Sequence, residues 1–266
     1  MITFRDVKKA YNKKEIIKGL NFTINEGELF VLIGPSGCGK TTTMKMINRL
    51  IDPSSGRIMI DDRDITEKNP VQLRRDIGYV IQQIGLFPHM TIAQNVALVP
   101  KLKKMKAAEF EKRVDELLTM VGLKPEEFKK RYPSELSGGQ QQRVGVIRAM
   151  AANPSIILMD EPFSALDPIS REQLQDELVK LQKTIKKTIV FVTHDMDEAL
   201  KIADRICLLR DGEIVQLDTP ENLLAHPANE FVIEFIGSKR LQQNLKVLKG
   251  YRDRDIEIPS EVAGNE

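Results

Sequence analysis

The chain has 266 residues, 41% of them hydrophobic and 29% charged, enough apolar content for a sizeable core in one large domain or a domain with a smaller lobe. A net charge of +2 gives no general electrostatic case for a nucleic-acid partner. The two cysteines, Cys38 and Cys207, are too few for a disulfide framework and point to reduced, intracellular chemistry. The first residues lack a signal-peptide layout, and no apolar run approaches the ~20 residues that span a bilayer. Any work at a membrane is therefore expected to run through another chain.

In chain order, Ile2–Val7 alternates as a strand, Phe22–Ile24 continues the pattern, and Glu26-Gly27 turns the chain into a third strand, Glu28–Ile33. Tyr11 falls in a polar turn and reads either as an aromatic platform for a base or as a half-buried surface tyrosine. After Ile33 comes Gly34-Pro35-Ser36-Gly37-Cys38-Gly39-Lys40-Thr41-Thr42, and then helical spacing over residues 43–50. Strand, G-x-x-x-x-G-K-T and helix together are the setting of a phosphate-binding loop. Its backbone N–H groups cradle phosphates, Lys40 reaches the β- and γ-phosphates, and the Thr41 hydroxyl ligates Mg²⁺. The chain is expected to bind a nucleoside triphosphate.

Gly56–Ile60 and Ile77–Ile81 read as further strands, the latter ending at Gln82-Gln83. From the loop Gly85–Met90 to about residue 152 the character is mostly helical. Phe110, Val114, Leu117, Leu118 and Val121 share one face, and Gly122 supplies a stop. Leu136-Ser137-Gly138-Gly139-Gln140 opens another helix. Ile156–Asp160 is an apolar strand finishing in Asp160-Glu161. Asp167-Pro168 caps a helix with a stripe of Leu174, Leu178, Leu181 and Ile185. Thr188–Thr193 is a buried strand ending at His194, and residues 205–217 form a hairpin about Asp211-Gly212. Thr219-Pro220 starts a short helix, and residues 238–266 read as a charged, polar tail.

A buried apolar strand that ends in two carboxylates suits the second half of a phosphate-loop site. Asp160 would hold Mg²⁺, and Glu161 would polarise the water that attacks the γ-phosphate. An acidic surface pair is the plain alternative. Gln82 and His194, each unremarkable alone, sit at strand ends of the same sheet, where Gln82 could touch Mg²⁺ or the water and His194 the γ-phosphate. Cys38 reads as a small residue that fits the loop, and Cys207 as core. Ser137-Gly138-Gly139 at a helix start is either a second anion site or an N-cap followed by a flexible turn.

These strings, in this order, resemble the ATP-binding subunit of an ABC transporter over roughly residues 1–237. Gly34–Thr42 is similar to the Walker A loop, Gln82 to the Q-loop and Leu136–Gln140 to the LSGGQ signature. Ile156–Glu161 is similar to Walker B with its catalytic glutamate, Ser164–Asp167 to the D-loop and His194 to the H-loop. Tyr11 falls where the family places its base-stacking aromatic. The resemblance implies an α/β P-loop NTPase fold with a RecA-like core sheet, an N-terminal antiparallel β lobe and an inserted helical lobe over about residues 83–152. It further implies an ATP- and Mg²⁺-dependent head-to-tail homodimer, in which Ser137, Gly138, Gly139 and Gln140 of one chain close on ATP held by the other. Transmembrane permease subunits would dock on the loop Gln83–Met90 and the helical lobe, at the cytoplasmic face of the cell membrane, and a separate extracytoplasmic receptor would bind the solute.

Residues 82–91 and 143–149 look most like importers of quaternary amines such as glycine betaine, carnitine and choline. Many of that group continue into regulatory CBS domains, for which this chain ends too soon. An importer of amino acids or another small solute is the main alternative. A soluble ABC ATPase acting on nucleic acid is disfavoured by the near-neutral charge and by the lack of an extended heptad run between Gln82 and Ser137.

Overall fold

The computed structural model describes residues 1–82, 85–164 and 166–237, with the side chains of 108 and 183–185 left out. The expectations that involve Gln83, Ala165, the Ile185 side chain and the tail 238–266 lie outside these residues. The elements in chain order are β1 (Ile2–Tyr11), β2 (Lys14–Ile24), β3 (Leu29–Ile33), α1 (Lys40–Ile47), β4 (Ser55–Ile60), β5 (Arg63–Asp64), α2 (Pro70–Asp76) and β6 (Ile77–Val80). Then follow α3 (Ile92–Val96), α4 (Leu98–Leu102), α5 (Ala107–Met120), α6 (Pro125–Phe128), α7 (Gly138–Met150), β7 (Ile156–Asp160) and α8 (Pro168–Ile185). The chain continues through β8 (Thr188–Val192), α9 (Met196–Ile202), β9 (Arg205–Arg210), β10 (Glu213–Asp218), α10 (Pro220–Ala225) and α11 (Glu230–Ile236).

Among the described residues the strands form two sheets, an antiparallel one in the order β2-β1-β4-β5 and a larger one in the order β10-β9-β3-β8-β7-β6. Within the larger sheet β9, β3, β8, β7 and β6 run parallel, and β10 folds back antiparallel on β9 about Asp211 and Gly212, both at positive φ. The parallel strands are continuous apolar runs because both faces are covered. Their alternation divides them: Leu29, Val31 and Ile33 of β3 face one apolar cluster, and Phe30 and Leu32 face the other. In β8, Ile189 and Phe191 divide from Val190 and Val192 in the same way.

The second cluster joins the two sheets through α1, whose Met44, Met46 and Ile47 are fully buried. A stack of Phe4, Phe22 and Phe30, with centroids 4.4 and 5.4 Å apart, links β1 and β2 to β3. Each such buried side chain contributes about 1.5–3 kcal/mol relative to exposure. The first cluster carries α3, α5 and α7 together with α8 and α9. Since β6 and β7 are neighbours in the sheet, the helices from α3 to α7 form an insertion between two adjacent parallel strands. This is the P-loop architecture with an antiparallel lobe and a helical insertion that the sequence led us to expect.

Several local expectations shift. The first two strands are longer than their patterns suggest and pair as a hairpin through Asn12 and Lys13, both at positive φ. A turn with a lysine in the left-handed region carries none of the usual glycine signal. Tyr11 is accordingly the last residue of β1 rather than part of a polar turn. The helix after the phosphate loop begins at Lys40 and ends at Ile47, not at residues 43 and 50, and Arg49 at positive φ follows its end. The short helix α2, capped by Asn69 on the N–H groups of Val71 and Gln72, has too little periodicity to stand out in the sequence.

One contact between the helical insertion and the sheet is especially close. A Cβ added at Gly78 of β6 would overlap the Ala149 carbonyl oxygen near the end of α7 and lie 3.2 Å from Pro154. Gly78 is not in the left-handed region, so its backbone accepts alanine and the overlap is the whole cost. Gly78→Ala should therefore destabilise the chain by ~1–3 kcal/mol, the usual range for overpacking. An unchanged urea midpoint would show that α7 sits less tightly on β6 than the structure has it.

Candidate active site

The phosphate loop is shaped by close packing against its neighbours. Gly34 has φ 151°, and a Cβ there would overlap the Leu209 carbonyl of β9 and come within 2.8 Å of Cys38 Sγ. Pro35, Ser36 and Gly37 are exposed, whereas Cys38 and Gly39 are buried. Burial pushes the Cys38 thiol above its usual range, so it is a packed side chain of the loop rather than a nucleophile. No described side chain caps the N-terminus of α1, and its first turn holds no acidic residue. Its positive end and open N–H groups are thus directed at the loop. Lys40 is only 6% exposed, and its Nζ donates to the carbonyls of Gly34 at 2.8 Å and Pro35 at 3.0 Å. Thr41 and Thr42 are half-buried beside it.

The carboxylates follow at the end of β7. Asp160 is buried; its Oδ1 accepts from the Thr41 hydroxyl at 2.9 Å, and the Tyr79 hydroxyl of β6 also bonds to it. Burial pushes the Asp160 carboxyl above its usual range against the pull of the Thr41 bond and the lysines Lys45 and Lys40. Burial raises the Tyr79 hydroxyl too, and the neighbouring Asp160 charge adds to that. Tyr79 was not visible as a site residue, because in an apolar strand it reads as core.

Glu161 stands just past the strand at φ 44°, a region costly for a residue with a Cβ, on the order of 1–3 kcal/mol. It is held there by its own N–H, which donates to the Val192 carbonyl at 3.0 Å. The Ser164 hydroxyl donates to the Glu161 carbonyl, also at 3.0 Å. Two groups converge on its side chain. Gln82 Nε2 donates to Oε2 at 3.2 Å, and His194 Nδ1 lies 3.3 Å from the same oxygen. His194 is 61% exposed, Glu161 only 18%. The strand order explains the convergence: β7 lies between β8, which leads to His194, and β6, which leads to Gln82.

Tyr11, Ile16, Ser36, Gly37, Gly39, Lys40, Thr41, Thr42 and Glu161 line one open pocket of about 410 Å³. Tyr11 is 44% exposed, so its ring is a wall of that pocket rather than core; Ile16, across the hairpin, was not foreseen. A larger groove of about 660 Å³ in the helical insertion contains no part of the phosphate loop.

Ser137 is not among the described residues lining the phosphate-loop pocket. It caps α7: its Oγ accepts from Gln140 N at 3.3 Å, and Gln140 Oε1 accepts from Ser137 N at 3.0 Å. A Cβ at Gly138 would meet nothing described within 4 Å, and at Gly139 only Ser170 Oγ and Leu166 Cδ2 near that limit. The loop at 87–91 is tied down by buried Asn95. This amide exchanges hydrogen bonds with Phe87 N and O and donates to the Met90 and Thr91 carbonyls. Asn95 is a further residue that periodicity could not single out. Among the described residues no helix is long and apolar enough to cross a membrane.

Comparisons with known proteins bear on the family and the fold. A family model described as ABC transporter matches residues 17–164. The chain is 62% identical over 245 residues to the choline transport ATP-binding protein OpuBA of Bacillus subtilis (strain 168), and equally to the glycine betaine/carnitine/choline transport ATP-binding protein OpuCA of that strain. These matches cover 92% of this chain, which spans only 64% of the length of each of those relatives. The glycine betaine uptake system ATP-binding protein YehX of Escherichia coli (strain K12) is 47% identical, covering 95% of this chain and 82% of the relative. Among solved structures, the dimeric post-hydrolysis state of the ATP-binding cassette MJ0796, bound to ADP and Pi, superposes with a TM-score of 0.74. It is 39% identical and covers 83% of this chain and 99% of that one. With the phosphate loop, the paired carboxylates and the strand order that joins them in place, the match over residues 17–164 makes this chain a member of the ABC transporter family.

Proposed function

We propose that this chain binds and hydrolyses ATP to drive an importer, with residues 1–237 as the ATPase domain, about 83–152 as its helical lobe and 238–266 as a charged tail. The observation that carries the reading is Glu161, a carboxylate beside the phosphate-loop pocket with Gln82 and His194 on one of its oxygens. Lys40 would leave the Gly34 and Pro35 carbonyls for the phosphates, since a buried ammonium needs acceptors and phosphate oxygens are better ones. Glu161 would take the proton of the attacking water, with Gln82 and His194 fixing its orientation. Tyr11 would stack on the base.

The donor set also fits Mg²⁺: the Thr41 hydroxyl and the buried Asp160 carboxylate are hard oxygens, with Gln82 a third candidate. Among the described residues no cluster of three or more His, Cys, Asp or Glu is placed to hold a metal alone, and Mg²⁺ commonly relies on substrate phosphates for the remainder. Bound there, Mg²⁺ would neutralise charge on the phosphates.

The signature segment supports a head-to-tail homodimer. Ser137 is exposed at a helix N-terminus outside the pocket, and Gly138 leaves open space, as a helix end approached by a second chain's nucleotide would require. Permease subunits and a separate extracytoplasmic receptor complete the proposed importer, with this chain at the cytoplasmic face. The names of the relatives make a quaternary amine the proposed solute. With no Trp and four Tyr in the chain, an aromatic cage for such a cation is assigned to the receptor.

Three outcomes test these readings. Glu161→Gln should retain ATP binding, lower kcat by about 100-fold or more, and elute as an ATP-dependent dimer that Ser137→Arg returns to monomer. Turnover within a few-fold of wild type would remove Glu161 from its role, and a dimer indifferent to ATP and Ser137 would remove the composite site.

The raised Asp160 carboxyl gives a second test. Its folded pKa lies above the unfolded one, so its contribution to stability is present at low pH and lost as pH rises through the folded pKa. At neutral pH and without Mg²⁺, Asp160→Asn should therefore melt above wild type, by a margin that shrinks on acidification. The order should reverse with Mg²⁺ and ATP, which stabilise wild type more than the variant. A variant that melts below wild type in both conditions would refute this account of the carboxylate.

For the solute, cells lacking this chain should lose uptake of glycine betaine, carnitine or choline under osmotic stress and regain it with wild type but not Lys40→Ala. Unchanged uptake of all three, where no redundant importer exists, would favour an amino acid or another small solute.

A further inference from the structure

The loop that carries His194 is braced by α8, the helix that begins just after Leu166 and Asp167. Asp195, next to His194, caps α9: its Oδ1 accepts from Asp197 N at 2.9 Å and Glu198 N at 3.4 Å. The Asp195 N–H donates to Thr193 Oγ1 at 3.0 Å. Its other oxygen, Oδ2, lies 3.6 Å from Nη1 of Arg171, on the first turn of α8. The same guanidinium donates from Nη2 to the Leu166 carbonyl at 3.3 Å. One turn along α8, Gln175 donates to the buried Glu198 of α9 at 3.1 Å, and the Thr193 hydroxyl also bonds to Glu198. Arg171 and Gln175, four residues apart, lie on one helix face and make a double brace on the segment 193–198.

We propose that Arg171 is a positioning residue for hydrolysis, coupling the backbone at Leu166, in the segment between Glu161 and α8, to the loop that aims His194 at Glu161. This rests on the catalytic reading above. His194 is mostly exposed and contacts Glu161, so its place is set by the backbone of 193–195. That backbone in turn is held by Asp195 and Thr193. Arg171 meets both sides because its planar group presents several donors in fixed directions; a lysine offers a single point charge and reaches only one of them. The Arg171–Asp195 pair is about one-third exposed on each side and longer than a hydrogen bond, so it contributes little to stability. Its effect falls on geometry, where small displacements are costly to rate. The Leu166 carbonyl lies two residues past Ser164, whose hydroxyl holds the Glu161 backbone.

The test uses steady-state ATP hydrolysis by the purified chain with Mg²⁺. Arg171→Ala should lower kcat by about 10-fold while the ATP KM stays within about 2-fold and the melting temperature barely moves. In a His194→Ala background the same change should alter kcat by less than about 2-fold, because the residue it positions is gone. Arg171→Lys, which keeps the charge and folds with the least disturbance, should remain impaired. Equal fold losses in both backgrounds, full rescue by lysine, or a loss confined to KM would overturn the proposal. If His194→Ala alone leaves kcat unchanged, the catalytic reading falls and the proposal with it. If His194→Ala is impaired but Arg171→Ala and Arg171→Lys are not, only the proposal falls.

Discussion

Four neighbouring strands of one parallel sheet must each end in a different chemical group, at nearly the same height. From β3 across β8 and β7 to β6, their carboxyl ends lead to the phosphate loop, His194, Asp160-Glu161 and Gln82. Strands lie ~4.8 Å apart, so groups from adjacent strands meet through ordinary side-chain lengths and groups two strands apart need longer reach. Glu161 is met by His194 from one side and Gln82 from the other for this reason. The Thr41 to Asp160 bond spans two strand spacings because α1 carries Thr41 back over the sheet edge. A sheet with the same strands in another order would scatter these residues.

Holding that edge together has electrostatic and conformational costs. The site concentrates a buried ammonium at Lys40, a buried carboxylate at Asp160 and a strained backbone at Glu161. Lys40 is satisfied by two loop carbonyls, and Asp160 by two hydroxyls with no ion pair among the described residues, so burial keeps the carboxyl hard to ionise. The surrounding structure over-determines the arrangement. Two apolar clusters clamp the sheet on both faces, and α1 is fixed by Met44, Met46 and Ile47, which leave no solvent-facing surface. The rigidity sits in the scaffold, and the charged groups project from its rim.

Much of this was legible in the sequence because it is local. An apolar run followed by a glycine-rich loop with Lys40, or by two carboxylates, announces both the strand and what lies at its end. The caps Asp167 and Thr219 and the turn at Asp211-Gly212 are likewise written in short strings, and each appears where it was expected. What could not be read is long-range or departs from the usual turn chemistry. No pattern in residues 1–24 reveals that Tyr11 and Ile16 face one pocket, since Asn12-Lys13 lacks a glycine. Tyr79 and Asn95 look like core filler until the sheet order and the loop they bind are known. Arg171 looks like any surface arginine on a helix; only the packing of α8 on α9 gives it two partners from separate segments.

The signature segment shows the reverse case, in which the sequence says more than the fold of one chain can use. Gly138 and Gly139 occupy the first turn of α7 outside the left-handed region, where alanine would fit. Glycine in a helix costs roughly 0.5–1 kcal/mol relative to alanine. The chain therefore accepts this cost twice at a place where its own packing asks for no bare backbone. By contrast, Gly34 and Gly78 each face a carbonyl of the same chain, and the fold accounts for them in full. A bare backbone beside an exposed helix N-terminus is useful when something anionic must come closer than a Cβ permits. In the proposed head-to-tail homodimer the nucleotide held by a second copy would meet that requirement, with the two halves of the site on separate surfaces of one chain.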